Sequence, residues 1–103
     1  MTAIPDAKEG RALSVCHYPH TIRIIKDRLL AAFPAAKPVQ GASDDVNNTL
    51  WMMEQVSLFD DQGKVDRWIG WIGAKAHSLG LIDRGDNELS EGRALIVEDL
   101  RRA

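Results

Sequence analysis

The sequence contains few of the features that stabilise small folds covalently or that mark catalytic and membrane-spanning segments. A single cysteine, Cys16, in 103 residues excludes an internal disulfide. No apolar run approaches the roughly 20 residues that a bilayer-spanning helix needs, and no glycine-rich phosphate-binding motif is present. No charged-then-apolar leader follows Met1, so the sequence predicts a cytoplasmic protein in a reducing compartment.

A strong charge of one sign is also missing. The 13 Lys and Arg residues nearly balance the 15 Asp and Glu residues, giving a net charge of −2. This balance lacks the electrostatic footprint of a general nucleic-acid or acidic-membrane binder. Hydrophobic residues make up 45% of the chain and charged residues 27%, as in folded globular domains. The length predicts one domain over residues 1–103, with an N-terminal arm over 1–19 and a helical core over 20–103.

Apolar residues at helical spacing predict an all-α fold, a small bundle of about four helices. The predicted helices cover residues 20–33, 45–59, 64–80 and a last segment that starts near Glu88. Ser43 or Asp44 is expected to cap the second helix, and Gly80 to end the third. The expected inner face of the last helix comprises Leu89, Ile96 and Leu100.

The N-terminal arm ends in a segment with weak strand character. Residues 12–18 alternate apolar and polar side chains, and Pro19 disfavours helical geometry at Tyr18. An isolated strand needs a pairing partner. We therefore expect this extended segment to pair with its copy in a second subunit of a homodimer.

The third predicted helix, residues 64–80, has two distinct rows. Its core stripe comprises Val65, Trp68, Ile69, Ile72, Ala76 and Leu79. A second row carries Gly70, Gly73 and His77. Each glycine inside a helix costs about 1 kcal/mol relative to alanine, so this row predicts the close approach of another backbone. His77 is expected to be packed or hydrogen-bonded there rather than to act as a catalytic base.

Metal-binding and catalytic constellations are weak. Cys16, His17 and His20 lie close together, but a zinc site needs four ligands, or three and a water, and no second Cys or His pair completes the set. Cys16 is better interpreted as a small buried residue and His20 as part of a helix start. The sequence predicts no catalytic residue, no metal and no cofactor. An enzyme using Cys16 and the histidines would require bound zinc or loss of function in Cys16→Ser.

Two helix edges carry more apolar surface than one core needs. Trp51 with Leu58 forms the first edge, and Trp71 with Arg67 the second. Trp and Arg are frequent at interface hot spots, so these four residues are the predicted partner-binding site. Two alternatives remain open: the two edges cover each other within one chain, or the tryptophans and neighbouring basic residues contact nucleic acid.

The stretch from Asn48 to Leu79 resembles a group of small bacterial and phage proteins. The matching positions are Leu50, Trp51, Met52, Met53, Glu54, Gln55, Lys64, Arg67, Trp68, Ile69, Gly70, Gly73, Leu79 and Gly80. The pattern is similar to that of the QslA family, antiactivators of the quorum-sensing regulator LasR. The resemblance implies a small helical homodimer that disrupts the activator's dimer through its ligand-binding domain.

The two apolar edges and the resemblance to the QslA family together predict one mechanism. The apolar edges would bind a LuxR-type, LasR-like activator and block its dimerisation and DNA binding, with no direct contact to nucleic acid or membrane. The alternative prediction is a small nucleic-acid-binding or phage-type transcriptional regulator.

Overall fold

The computed structural model describes residues 15–41, 45–83 and 90–103, which form four α-helices and contain no strand. The helices are α1 (Pro19–Ala32), α2 (Asp45–Val56), α3 (Gln62–Ser78) and α4 (Glu91–Arg102). The predicted all-α bundle is confirmed. The predicted arm up to residue 14, the cap at Ser43 or Asp44, and Leu89 lie outside the described residues. No helix within the described ranges is both long and apolar enough to cross a bilayer.

Local sequence signals explain where α3 begins and ends. The Asp61 carboxylate accepts hydrogen bonds from the backbone N–H groups of Gly63 (2.9 Å) and Lys64 (3.3 Å), which caps the first turn. At the other end Gly80 adopts φ +75°, and the Leu81 N–H donates to the Ala76 carbonyl at 2.8 Å. This left-handed ending is the reason for a glycine at this position, and it confirms Gly80 as the stop signal.

The hydrophobic core lies where three helix pairs meet. α2 packs on α3, and α1 packs on both α2 and α4. The side chains of Ile25 and Leu29 from α1, Val56 from α2, and Val65 and Ile72 from α3 are fully buried. The apolar stripe predicted for the third helix, α3, therefore faces this core.

The start of α1 is capped by a side chain from the other end of the chain. Tyr18 provides no side-chain cap. Instead, the carboxylate of Asp99 on α4 accepts hydrogen bonds from the backbone N–H of His20 (2.8 Å), the N–H of Thr21 (2.7 Å) and the hydroxyl of Thr21 (2.5 Å). Asp99 is only 2% exposed, so these bonds compensate a buried charge and join α4 to α1.

The predicted inner face of α4 is correct only in part. Ile96 is half-buried and packs against the core, as predicted, but Leu100 is 52% exposed, and Leu95 and Asp99 are buried instead. The helix starts at Glu91 with Ser90 as its cap, not near Glu88. The hydrogen bonds of Asp99 explain the orientation, because a residue that follows at helical spacing points about 100° away from the buried carboxylate.

The described part of the N-terminal arm, residues 15–18, docks on the α2–α3 turn of its own chain. The amide of Gln62 accepts from the Cys16 N–H (2.8 Å) and donates to the Cys16 carbonyl (3.0 Å). His17 Nε2 lies 2.6 Å from the Phe59 carbonyl oxygen, and the Tyr18 hydroxyl donates to Asp66 at 2.8 Å. The segment is non-helical, as expected. Its pairing with a second subunit remains a prediction.

Candidate functional site

Four aromatic rings from α2, α3 and the turn between them form one continuous cluster. The Trp68 ring centroid lies 4.8 Å from Phe59 in an edge-to-face arrangement, 5.9 Å from Trp51 and 6.1 Å from Trp71. These distances are typical of favourable aromatic pairs. We call Trp51, Phe59, Trp68 and Trp71 the aromatic surface.

The antiparallel arrangement of α2 and α3 positions these rings. Trp68 and Trp71 are three residues apart on α3 and therefore neighbours on one helix face. Phe59 lies in the turn after α2, and the ammonium of Lys64 sits 4.2 Å from its ring centroid. The rings thus hold one another in a defined arrangement before any ligand binds.

Part of this region remains in contact with solvent. Trp51, Phe59 and Trp68 are half-buried against the core, whereas Trp71 is 54% exposed. Leu58, which directly precedes Phe59, is 72% exposed. A large exposed indole beside pre-packed rings is a feature of protein-binding surfaces.

The structure changes how the predicted partner-binding residues relate to each other. Trp51 and Trp71, predicted on two separate edges, belong to one surface because Trp68 contacts both. Leu58 does not share a helix edge with Trp51, since α2 ends at Val56. Sequence reasoning assigned Trp68 to the core and missed its linking role, although its three-residue spacing to Trp71 carried the signal.

Basic side chains border Trp71 along α3. Arg67 and Lys75 are one helical turn before and after it. The ammonium of Lys75 pairs with the Asp45 carboxylate at 3.2 Å. Arg67 is exposed and has no ion pair within the described ranges. Its guanidinium lies toward the start of α3, since a Cβ placed on Gly63 would be 3.7 Å from Arg67 Nη1 and 3.3 Å from the carboxylate of Asp61.

The small-residue row of α3 is only partly covered by the described part of this chain. A Cβ placed on Gly70 would meet no atom within 4 Å, so no other segment of the described part of this chain approaches Gly70 closely. The close approach of another backbone, from a second subunit, stays a prediction at Gly70. Gly73 is half-buried and the side chain of His77 is exposed. For Gly73 and His77, a role in close packing remains a prediction.

Cys16, His17 and His20 lie near one another, but Cys16 and His17 are engaged in contacts that hold the fold together. Cys16 and His17 belong to the docked segment, while His20 lies in the first turn of α1. Within the described ranges no group of three or more Cys, His, Asp or Glu side chains is arranged to hold a metal ion. These three residues instead line an open cavity of about 800 Å³ together with Arg23 and Arg102.

Ionisable groups around the docked segment and α4 have shifted pKa values. Burial and the hydrogen bond to Asp66 raise the pKa of the Tyr18 phenol well above its usual value. Hydrogen bonds from Arg101 and Arg102 lower the pKa of Glu98 to about 2. Both shifts arise from contacts outside the aromatic surface and stabilise the local fold.

Searches against protein-family models, curated proteins and solved structures return no match. The family interpretation therefore depends on the motif between Asn48 and Leu79 alone. The fold and the geometry define a small all-α bundle with a partly exposed aromatic surface on its α2–α3 face.

Proposed function

We propose that this chain is an antiactivator, which binds a LuxR-type, LasR-like transcriptional activator through the aromatic surface. The observation that carries the proposal is the exposure of Trp71 within a cluster of rings that already contact one another. The QslA-like motif supports it, because Trp51, Arg67 and Trp68 of that motif lie in or beside the surface.

The proposed mechanism needs binding alone. An activator that must dimerise before it binds DNA is inhibited by mass action when a partner occupies its dimerisation surface. Burying the exposed part of one indole contributes about 3 kcal/mol before ordering costs are subtracted. Because the rings of the aromatic surface hold one another, the ordering cost is reduced. The inhibitor acts in the cytoplasm, as a homodimer in the form that the family resemblance implies.

Co-elution of the purified chain with the activator's ligand-binding domain tests this proposal. We expect a stable complex, and we expect Trp71→Ala and Leu58→Ser each to weaken it about tenfold, as loss of a hot-spot side chain does. The matched control is Val97→Ser, since Val97 is 51% exposed but lies on α4. Circular dichroism would establish that all three variants remain helical. Absence of a complex with the unmodified chain would refute the proposal.

A second candidate is a small nucleic-acid-binding or phage-type regulator. Lys64, Arg67 and Lys75 lie along the face of α3 that carries Trp71. This arrangement favours the second candidate, because proteins that bind single-stranded nucleic acid stack bases on aromatic rings and contact phosphates with basic side chains. The net charge of −2 argues against a broad electrostatic footprint. Fluorescence anisotropy with labelled duplex and single-stranded DNA would test it. Binding that weakens steeply with salt, and that Arg67→Glu abolishes, would favour this function over the first.

A further inference from the structure

We infer that His17 is a positioning residue of the aromatic surface, because its hydrogen bond to the Phe59 carbonyl fixes the ring against which Trp68 packs. This role rests on the proposed function only in that the aromatic surface binds a partner. The docked segment, residues 15–18, then does more than cover the turn between α2 and α3: it sets the arrangement of the rings.

His17 reaches this turn through its imidazole. Its Nε2 atom lies 2.6 Å from the carbonyl oxygen of Phe59. A carbonyl oxygen can only accept a hydrogen bond, so the imidazole donates and carries its proton on Nε2. The bond joins residues 42 positions apart and is partly buried, where water competes less for both groups.

Phe59 depends on such contacts because it lies outside both helices. α2 ends at Val56 and α3 begins at Gln62, so neither helix fixes its backbone. The N–H of Phe59 donates to the Val56 carbonyl over a long 3.3 Å, and its own carbonyl accepts from His17. These two bonds hold the peptide planes on both sides of the Phe59 Cα, and those planes determine where the ring points.

The position of the Phe59 ring in turn determines how the tryptophans pack. Its centroid lies 4.8 Å from that of Trp68, the shortest of the three ring contacts, and the Lys64 ammonium lies 4.2 Å from the same ring. Trp68 also contacts Trp51 and Trp71. A displaced Phe59 ring would leave a gap beside Trp68, and a side chain next to a gap loses packing contacts.

Further contacts fix the segment that carries His17. The Gln62 amide accepts from the Cys16 N–H at 2.8 Å and donates to the Cys16 carbonyl at 3.0 Å. The Tyr18 hydroxyl donates to Asp66 at 2.8 Å, and Gln62 donates to the same carboxylate oxygen at 2.9 Å. The residues before and after His17 are both bonded to α3, so the imidazole is held against the turn from two sides.

The backbone of Tyr18 indicates that the docked segment has one defined conformation. Tyr18 has φ +54° and ψ +52°, a left-handed conformation that costs a non-glycine residue about 1 kcal/mol or more. Such a conformation persists only where the surrounding contacts determine it. Here the bond to Asp66 and the burial of the Tyr18 ring offset the cost. A positioning role requires a segment fixed in this way.

Near-UV circular dichroism measures the proposed positioning, because all three tryptophans of the chain belong to the aromatic surface. In His17→Ala we expect the tryptophan band at about 280 to 300 nm to lose about half its amplitude, since this signal requires fixed ring packing. Acrylamide quenching of the tryptophan fluorescence should rise about twofold for the same reason. The far-UV spectrum should not change, because the helices do not contain this bond.

Two further variants make the test specific to the hydrogen bond. His17→Gln keeps an N–H donor near the position of Nε2 and should restore most of the band. His20→Ala is the matched control and should leave the band unchanged, since His20 lies in the first turn of α1 and its ring bonds to Arg23. If His17→Ala fails to fold, Gln62→Ala takes its place, because it releases the docked segment from α3.

Three results would overturn the positioning role. The first is a folded His17→Ala chain, or Gln62→Ala in its place, with the band and the quenching of the unmodified chain. The second is a failure of His17→Gln to restore the band. The third is an equal loss of the band in His20→Ala.

The activator's ligand-binding domain separates the positioning role from the proposed function, since the spectra are measured without any partner. We expect His17→Ala to weaken the complex about fivefold, because loosened rings must be ordered on binding. If the domain binds but the spectra of the variants do not change, the positioning role is wrong and the antiactivator proposal stands. If the spectra change as expected and the domain does not bind, the proposed function is wrong and the positioning role stands.

Discussion

The α1–α4 junction and the α2–α3 face differ in the chemistry of the side chains that they bury or expose. At the α1–α4 junction a carboxylate, Asp99, is buried, and each of its oxygens accepts a hydrogen bond from the first turn of α1. On the α2–α3 face the aromatic rings contact one another, yet Trp71 and Leu58 remain exposed.

The difference follows from what each group requires. A buried charge is tolerated only with its hydrogen-bonding partners in place, so the α1–α4 junction must be closed and well defined. An apolar ring loses stabilisation when exposed, but it requires no specific partner. The junction is therefore suited to fixing the fold, and the aromatic surface to binding. Substitutions at the first should change stability, and substitutions at the exposed edge of the second should change affinity.

Asp99→Ala should have the largest effect on stability. It leaves the N–H groups of His20 and Thr21 and the Thr21 hydroxyl without their acceptor, and each unsatisfied buried group costs about 1 to 3 kcal/mol. We expect the free energy of unfolding to fall by about 4 kcal/mol, because the N-terminal cap of α1 is lost as well. Urea denaturation followed by circular dichroism would measure the change.

The control for this prediction is Asp27→Asn. Asp27 is an exposed carboxylate on α1, and its substitution should change the free energy of unfolding by less than about 0.5 kcal/mol. If Asp99→Ala changes stability as little as this control does, the carboxylate does not hold the two helices together.

Trp68→Ala should have the next largest effect, and it should differ from Trp71→Ala. Trp68 contacts three other rings and packs against the core, so its truncation should lower the free energy of unfolding by about 3 kcal/mol. Among the aromatic rings that the structure describes, Trp71 contacts only Trp68, and it is more than half exposed, so its truncation should cost less than about 1 kcal/mol. Equal losses in urea denaturation would contradict the division into a supporting ring and an exposed ring.

Much of the fold could be predicted because its signals are local. The spacing of Val65, Ile69 and Ile72 identified the buried side of α3. These patterns repeat within one or two helical turns, which is the range over which sequence periodicity is informative.

The α1–α4 junction could not be predicted in this way. The hydrogen bonds of Asp99 join residues 78 and 79 positions apart, and a cap supplied by another helix leaves no signal beside the helix it caps. Without that contact, Leu100 was the natural candidate for the inner face of α4. The aromatic surface was predicted in part: Trp51 and Trp71 were selected, but the packing that joins them through Trp68 is a tertiary contact.

Tyr18→Phe should have a smaller effect that depends on pH. It removes the hydrogen bond to Asp66 and should cost about 1 kcal/mol at neutral pH. The folded-state pKa of Tyr18 lies above the ordinary value of 10.0, so above pH 10.0 the unfolded state loses this proton before the folded state does. The contribution of Tyr18 is therefore complete below pH 10.0 and declines as the pH rises further.

Urea denaturation of both proteins between neutral pH and about pH 11 would measure this dependence. The unmodified chain should lose stability relative to Tyr18→Phe above pH 10.0, so that the difference between them narrows. A difference that stays constant across this range would show that the phenol proton does not contribute.

Glu98→Gln should have the smallest effect, although Glu98 adjoins Asp99 in the sequence. Its carboxylate pairs with Arg101 and Arg102 on the solvent side of α4, where water and salt screen the interaction. Its folded-state pKa of about 2 lies below the ordinary 4.5, so its contribution is complete above pH 4.5 and is lost as the pH falls toward 2. The variant should match the unmodified chain near the bottom of that window, or in high salt, and be slightly less stable above it. A loss as large as that of Asp99→Ala would show that the outer face of α4, and not the buried carboxylate, holds the junction closed.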